Sequence, residues 1–169
     1  MQFGKVGNFS YIGKPICLYG RRGIKIGNKV RIYPGARIET YGKAASIYIK
    51  DNVSIGQNFH ITSSGSELVI GEDTTILGNV FITNIDHDYK QIGVHILKQV
   101  FLTKETKIGQ NCFIGYGTAI QAGTIIGKQC IVGANSVVRG EFPDYCVIVG
   151  APAKVVKTYN PNTGNWEKI

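Results

Sequence analysis

Aliphatic residues recur at every sixth position through most of this chain. From Ile108 the series runs Ile108, Ile114, Ile120, Ile126, Val132 and Val138. Earlier stretches keep the same step at Ile26, Ile32 and Ile38, at Ile49, Ile55 and Ile61, and at Ile70, Ile76 and Ile82. An amphipathic helix needs a period near 3.6 and a half-buried strand a period of 2. A sustained period of six fits neither and matches a parallel β-helix, in which each unit supplies one short strand and one corner. Three units then close a triangular coil of about 18 residues, and coils stack at the strand spacing of about 4.8 Å. The aliphatic residue points inward. The small residue four places later (Val30, Ala36, Val53, Thr74, Val80, Thr118, Thr124, Ser136) fills the corner.

The interruptions mark the surface. Extra residues at 40–46 and 63–67 read as loops projecting from corners, and the largest insert, about 88–105, opens directly after His87. Ile82 and Ile108 are 26 positions apart, 20 more than the repeat step, so a whole excursion leaves the body there. The chain therefore reads as one all-β domain spanning 1–169: a less regular cap or first coil over 1–25, coils over 26–143, and a C-terminal segment over 144–169. The polar end at 158–169, with Pro161 and Gly164, predicts an irregular or short helical tail.

Composition narrows the partners. Twenty-two glycines and one methionine suit a turn-rich β protein. No apolar run approaches a membrane span of about 20 residues, and the first residues lack a secretory signature, so a cytoplasmic location is expected. The net charge of +8 is dispersed, without a basic run or aromatic-rich motif, which argues against nucleic acid. It leaves room for a phosphate-bearing cofactor or for peripheral association with an acidic surface. Cys112 and Cys130, three repeats apart, read as small core residues stacked in successive coils.

The period-six pattern, the segment Thr83-Asn84-Ile85-Asp86-His87-Asp88-Tyr89 before the insert, and Gly150-Ala151-Pro152-Ala153-Lys154 near the end together resemble the hexapeptide-repeat acyltransferases. The likeness is narrowest to the maltose and galactoside acetyltransferase-like branch, which includes O-acetyltransferases of surface polysaccharides. It implies a left-handed parallel β-helix, acetyl-CoA as co-substrate, and a homotrimer with active sites between subunits. Under this resemblance His87 is the general base. That role suits an imidazole, which changes charge near neutrality, because a sugar hydroxyl is almost wholly protonated at neutral pH. Asn84 and Asp86 are the expected acceptor-side residues. Gly115 and Tyr116 occupy the position whose backbone N–H meets the thioester oxyanion, although Tyr116 stands where the family pattern has serine. Lys154 and Lys157, with Arg139 and the small Ala134 and Ala151, are the expected coenzyme A contacts.

Other candidates are weaker. His60 reads as an outward-facing surface residue and His95 as part of the insert. A zinc site would need three converging imidazoles, so no metal is expected. Trp166 packs the tail or covers an adenine. Three functions stay open on sequence: an O-acetyltransferase acting on a saccharide, an N-acetyltransferase acting on an amino sugar or antibiotic, and a non-catalytic β-helical scaffold.

Overall fold

The computed structural model describes residues 3–169. Three sheets of seven, nine and six strands, parallel except for the last two strands of the second, form the faces of a triangular prism. Each face takes one strand from each successive coil, so the six-stranded third face counts six complete coils, and a seventh is started by Glu141–Phe142 and Cys146–Gly150. The period-six aliphatics build the interior. On the first face Ile26, Ile49, Ile70, Ile108, Ile126 and Phe142 lie in register. On the third, Leu18, Ile38, Ile61, Ile82, Ile120 and Val138 do the same. Like stacks on like because a parallel ladder without slippage keeps every inward position inward. All eight predicted corner residues are buried.

Corners demand backbone that most residues avoid. Between the first and second faces every coil places one residue in the left-handed region, from Phe9, Lys29 and Asn52 through Asp73, Asn111 and Gln129 to Tyr145. Asn and Asp tolerate this conformation through local side-chain hydrogen bonds. Gly115 is needed for a different reason. A Cβ there would lie 2.5 Å from the Ala134 nitrogen of the next coil.

Three details depart from the sequence reading. Residues 5–19 form a regular first coil, since Lys5–Val6, Tyr11–Ile12 and Cys17–Tyr19 each pair in register with the coil above. The extra residues near 40 and 63 largely lengthen strands: Arg37–Tyr41 and His60–Ser64 pair over five positions. The tail is a hairpin of Ala153–Asn160 and Asn165–Lys168 that continues the second sheet antiparallel, with Trp166 packed edge-on to Tyr159. Cys112 and Cys130 do stack, and Cys146 extends the column with its sulfur 3.6 Å from that of Cys130. These thiols also donate to carbonyls, Cys112 to Gly127 and Cys130 to Pro143, both at 3.1 Å, as the Thr74 hydroxyl does to Gly109 in the same column. Among the described residues no helix is long and apolar enough to cross a membrane.

Candidate active site

The insert leaves the third face as an antiparallel hairpin. Ile85–His87 pairs with Phe101–Thr103, His87 opposite Phe101, so His87 sits on a strand rather than at the edge of a loose loop. The imidazole stands edge-on to Phe101 with centroids 4.9 Å apart. Within the excursion the nearly buried Gln99 ties the chain to itself, its amide donating to the carbonyls of Gln91 and Val94 and its oxygen accepting from the Gln91 N–H.

Asp86 anchors the hairpin to the body. One carboxylate oxygen accepts from the His87 backbone N–H at 3.1 Å. The other meets Arg139 at 2.9 Å and Lys104 at 3.6 Å. Burial alone would raise this carboxyl, but the His87 N–H and the two cations hold it below the usual carboxylate range. Asp86 thus fixes the backbone of His87 and leaves the imidazole ring to Phe101.

His87, Asp86 and Arg139 open onto a pocket of about 510 Å³ on the third face, a volume typical of small-molecule sites. Its far wall was not anticipated. Arg37, Glu39, Tyr41 and His60 converge there. His60, read from sequence as a surface residue, is part of this wall: its ring packs on Phe81 at 5.0 Å and its Nε2 lies 3.3 Å from Glu39. His95 is outside the pocket, its Nδ1 accepting from the Leu97 N–H, so the three imidazoles do not converge. Among the described residues no cluster of three metal-ligating side chains forms.

Other expected site residues fall elsewhere. Asn84 is fully buried. Its amide accepts from the Ser64 N–H and donates to Ser63, Ser64 and Ser66, so it locks neighbouring turns and cannot reach an acceptor. The Gly115 N–H already donates to Val132 at 2.8 Å, which removes it as an oxyanion donor. The adjacent N–H of Tyr116 makes no hydrogen bond among the described residues. Gly115, Tyr116 and Ala134 lie together at the corner between the second and third faces, Gly115 stacked on Ala134. Ala151, Lys154 and Lys157 follow on the exposed end of the second sheet. Arg139 parts company with those lysines and belongs to the His87 pocket. The predicted set therefore divides between the two edges of the third face.

Residues 105–140 match the family described as bacterial transferase hexapeptide (six repeats). WbbJ of Escherichia coli K12, named for O-acetyl transfer in lipopolysaccharide biosynthesis, is 36% identical over 168 residues, 95% of this chain and 85% of WbbJ. A galactoside O-acetyltransferase of the same organism is 28% identical over 116 residues, and the aligned part covers 64% of this chain and 55% of that longer relative. Among solved structures, the N-acyltransferase AntD from Bacillus cereus, in complex with dTDP-4-amino-4,6-dideoxyglucose and coenzyme A, shares the fold with a TM-score of 0.82 at 20% identity, over 96% of this chain and 87% of AntD. A galactoside acetyltransferase in complex with coenzyme A gives a TM-score of 0.61 at 22% identity, over 95% and 67% of the two chains. The six-residue repeat, the parallel solenoid and a relative matched along nearly its whole length place this chain in the hexapeptide-repeat acetyltransferase family.

Proposed function

We propose that this protein transfers the acetyl group of acetyl-CoA to a hydroxyl of a saccharide, in the synthesis of a surface polysaccharide. The observation that carries this reading is the placement of His87, exposed on a braced hairpin strand at the mouth of a pocket lined by aromatic and paired polar groups. The imidazole removes the hydroxyl proton as the sugar oxygen attacks the thioester carbonyl. The tetrahedral intermediate collapses with cleavage of the C–S bond, and the imidazolium returns its proton to the departing coenzyme A thiolate. The Tyr116 N–H suits the oxyanion. Lys154 and Lys157 suit the coenzyme A phosphates as point charges.

This division of labour calls for more than one copy of the chain. His87 and Tyr116 lie at opposite edges of one face, so a neighbouring subunit supplies the second edge, and a three-fold ring closes three equivalent sites. Both solved relatives described above carry coenzyme A, which supports an acyl-CoA donor here. The kinship to WbbJ supports a hydroxyl on a glycan over an amine.

The test is release of free thiol from acetyl-CoA against a panel of saccharide and amine acceptors, with His87→Ala as control. Acetylated sugar formed by the wild type, and a loss of about 10²-fold or more in the variant, is expected. Unchanged activity in His87→Ala refutes the mechanism. Turnover of amines alone shifts the activity to N-acetylation.

A further inference from the structure

The pocket does not end at His87. Its wall runs along the third face from Arg139 through Phe81 and His60 to Arg37, Glu39 and Tyr41. With Gln121 and Ala122 between Phe81 and Arg139, the lining spans five successive coils, so the groove is about 19 Å long at a coil spacing of about 4.8 Å. The His87 hairpin leaves at the third of them. From there to Arg37 is two coils, about 10 Å, which is more than one pyranose ring spans.

The floor of that stretch repeats. Arg37, His60 and Phe81 stack in one column, and Glu39, Thr62 and Thr83 stack in the next. Each tier therefore offers a flat group beside an oxygen: phenyl with hydroxyl, imidazole with hydroxyl, guanidinium with carboxylate. A pyranose ring has the complementary chemistry, with an apolar C–H face to lay on a flat group and hydroxyls at its rim that need paired partners.

Glu39 is the unusual member. Its side chain is 5% exposed although it lies on the outer surface of the sheet. Arg37 donates to both carboxylate oxygens, Nε at 2.8 Å and Nη2 at 3.0 Å, and the Tyr41 hydroxyl donates at 2.9 Å. His60 approaches from the next coil. Sinking a charge in this way costs desolvation that its partners return incompletely, so stability alone does not explain it. A fixed carboxylate flanked by a half-exposed guanidinium and a phenol is a preorganised reader of sugar hydroxyls.

We infer that the acceptor is a saccharide of at least two rings, laid along the coils from His87 toward the N-terminal end, with the Arg37–Glu39–Tyr41–His60 quartet binding a ring beyond the one acetylated. This rests on the proposed saccharide acetyltransfer. It predicts that acceptor length matters and that the quartet is where length is sensed.

The experiment compares kcat/KM for glucose, galactose and N-acetylglucosamine with their di- and trisaccharides, using wild type, Glu39→Gln and Tyr41→Phe. Tyr41 is partly exposed and keeps its ring in the second variant, so folding is preserved there even if Glu39→Gln is unstable. In at least one series the wild type is expected to prefer the oligosaccharide by about tenfold or more, the worth of one well-placed ring contact. Either variant should collapse that preference toward unity. A wild-type ratio near one, or a ratio unchanged in Tyr41→Phe, overturns the inference. Saturation-transfer NMR with the same sugars reads occupancy without turnover. Oligosaccharide binding lost in Tyr41→Phe but never followed by acetyl transfer refutes the catalytic reading and upholds the groove. Binding of single rings only refutes the groove.

Discussion

The His87 imidazole stands edge-on to the ring of Phe101, with centroids 4.9 Å apart and planes at 81°. The two residues face each other across an antiparallel pair, so the strand that carries His87 is paired with the strand whose ring sets the angle of its imidazole. Edge-to-face pairs contribute about 0.5–1.5 kcal/mol beyond area burial, enough to favour one rotamer of an exposed side chain. Phe101→Ala should therefore lower kcat by about 10-fold or more, since a small misplacement of a reacting group is costly. Thermal stability should hardly change, because Phe101 is itself half-exposed. Steady-state kinetics beside a melting curve checks both halves.

Arg139 and Asp86 form the second brace. Arg139→Ala should free the hairpin base, cut kcat more than the acetyl-CoA KM, and hasten proteolysis within residues 88–100. If instead the acetyl-CoA KM rises alone, Arg139 serves the cofactor after all.

Glu39 links the groove to pH. Its carboxyl is held below the usual carboxylate range, first by the Arg37 hydrogen bond, against the opposing effect of burial, with Tyr41 and His60 adding to the lowering. A carboxyl whose folded pKa lies below its unfolded value of about 4.3 stabilises the fold above that pH. The contribution disappears as pH falls through the folded value. Glu39→Gln should then melt lower than the wild type at pH 7. The gap should hold down to about pH 5 and close below about pH 4. Melting curves of both proteins from pH 3 to 8 check the sign.

Thiol chemistry separates the cysteine column from Cys17. Cys112, Cys130 and Cys146 are buried, whereas Cys17 is partly exposed. Burial pushes the Cys146 thiol up to about 12. The neighbouring Cys130 thiol and burial push Cys112 up as well. Titration of the native protein with a thiol reagent should modify Cys17 alone, and all four should react in denaturant. This also sets the background for any thiol-release assay.

The proposed sharing of each site between two subunits predicts complementation. His87→Ala and Ala134→Trp, the second blocking the opposite edge of the face, should each be inactive alone. Co-refolded in equal amounts they should recover about a quarter of wild-type sites, the random-mixing value for a ring in which each site draws one edge from each of two neighbours. No recovery would place the whole site within one chain.

Much of this was legible in the chain itself, for a definite reason. A period of six recurs because one inward residue per strand must stack on its counterpart, and that rule is local. It identified eight buried corner residues from Val30 to Ser136 and the exit point beside His87. The far wall of the pocket carried a signal too. Arg37, His60 and Phe81 each immediately precede an inward isoleucine of the third face. That column becomes a surface only when coils stack, and the extra residues near 40 and 63 obscured its register. Asn84 misled because its neighbours are polar, while burial turned its amide onto the adjacent serines.

The sequence by itself determined the solenoid and the site of its one large excursion, because short-range periodicity dictates which side chains face in. Only the tertiary structure decided what faces outward together. It put Arg139 on Asp86 rather than with the terminal lysines, gathered Glu39 and His60 into the groove, and set Tyr116 at the opposite edge of the face from His87. Those relationships depend on how coils of unequal length lie over one another, and no local pattern encodes that.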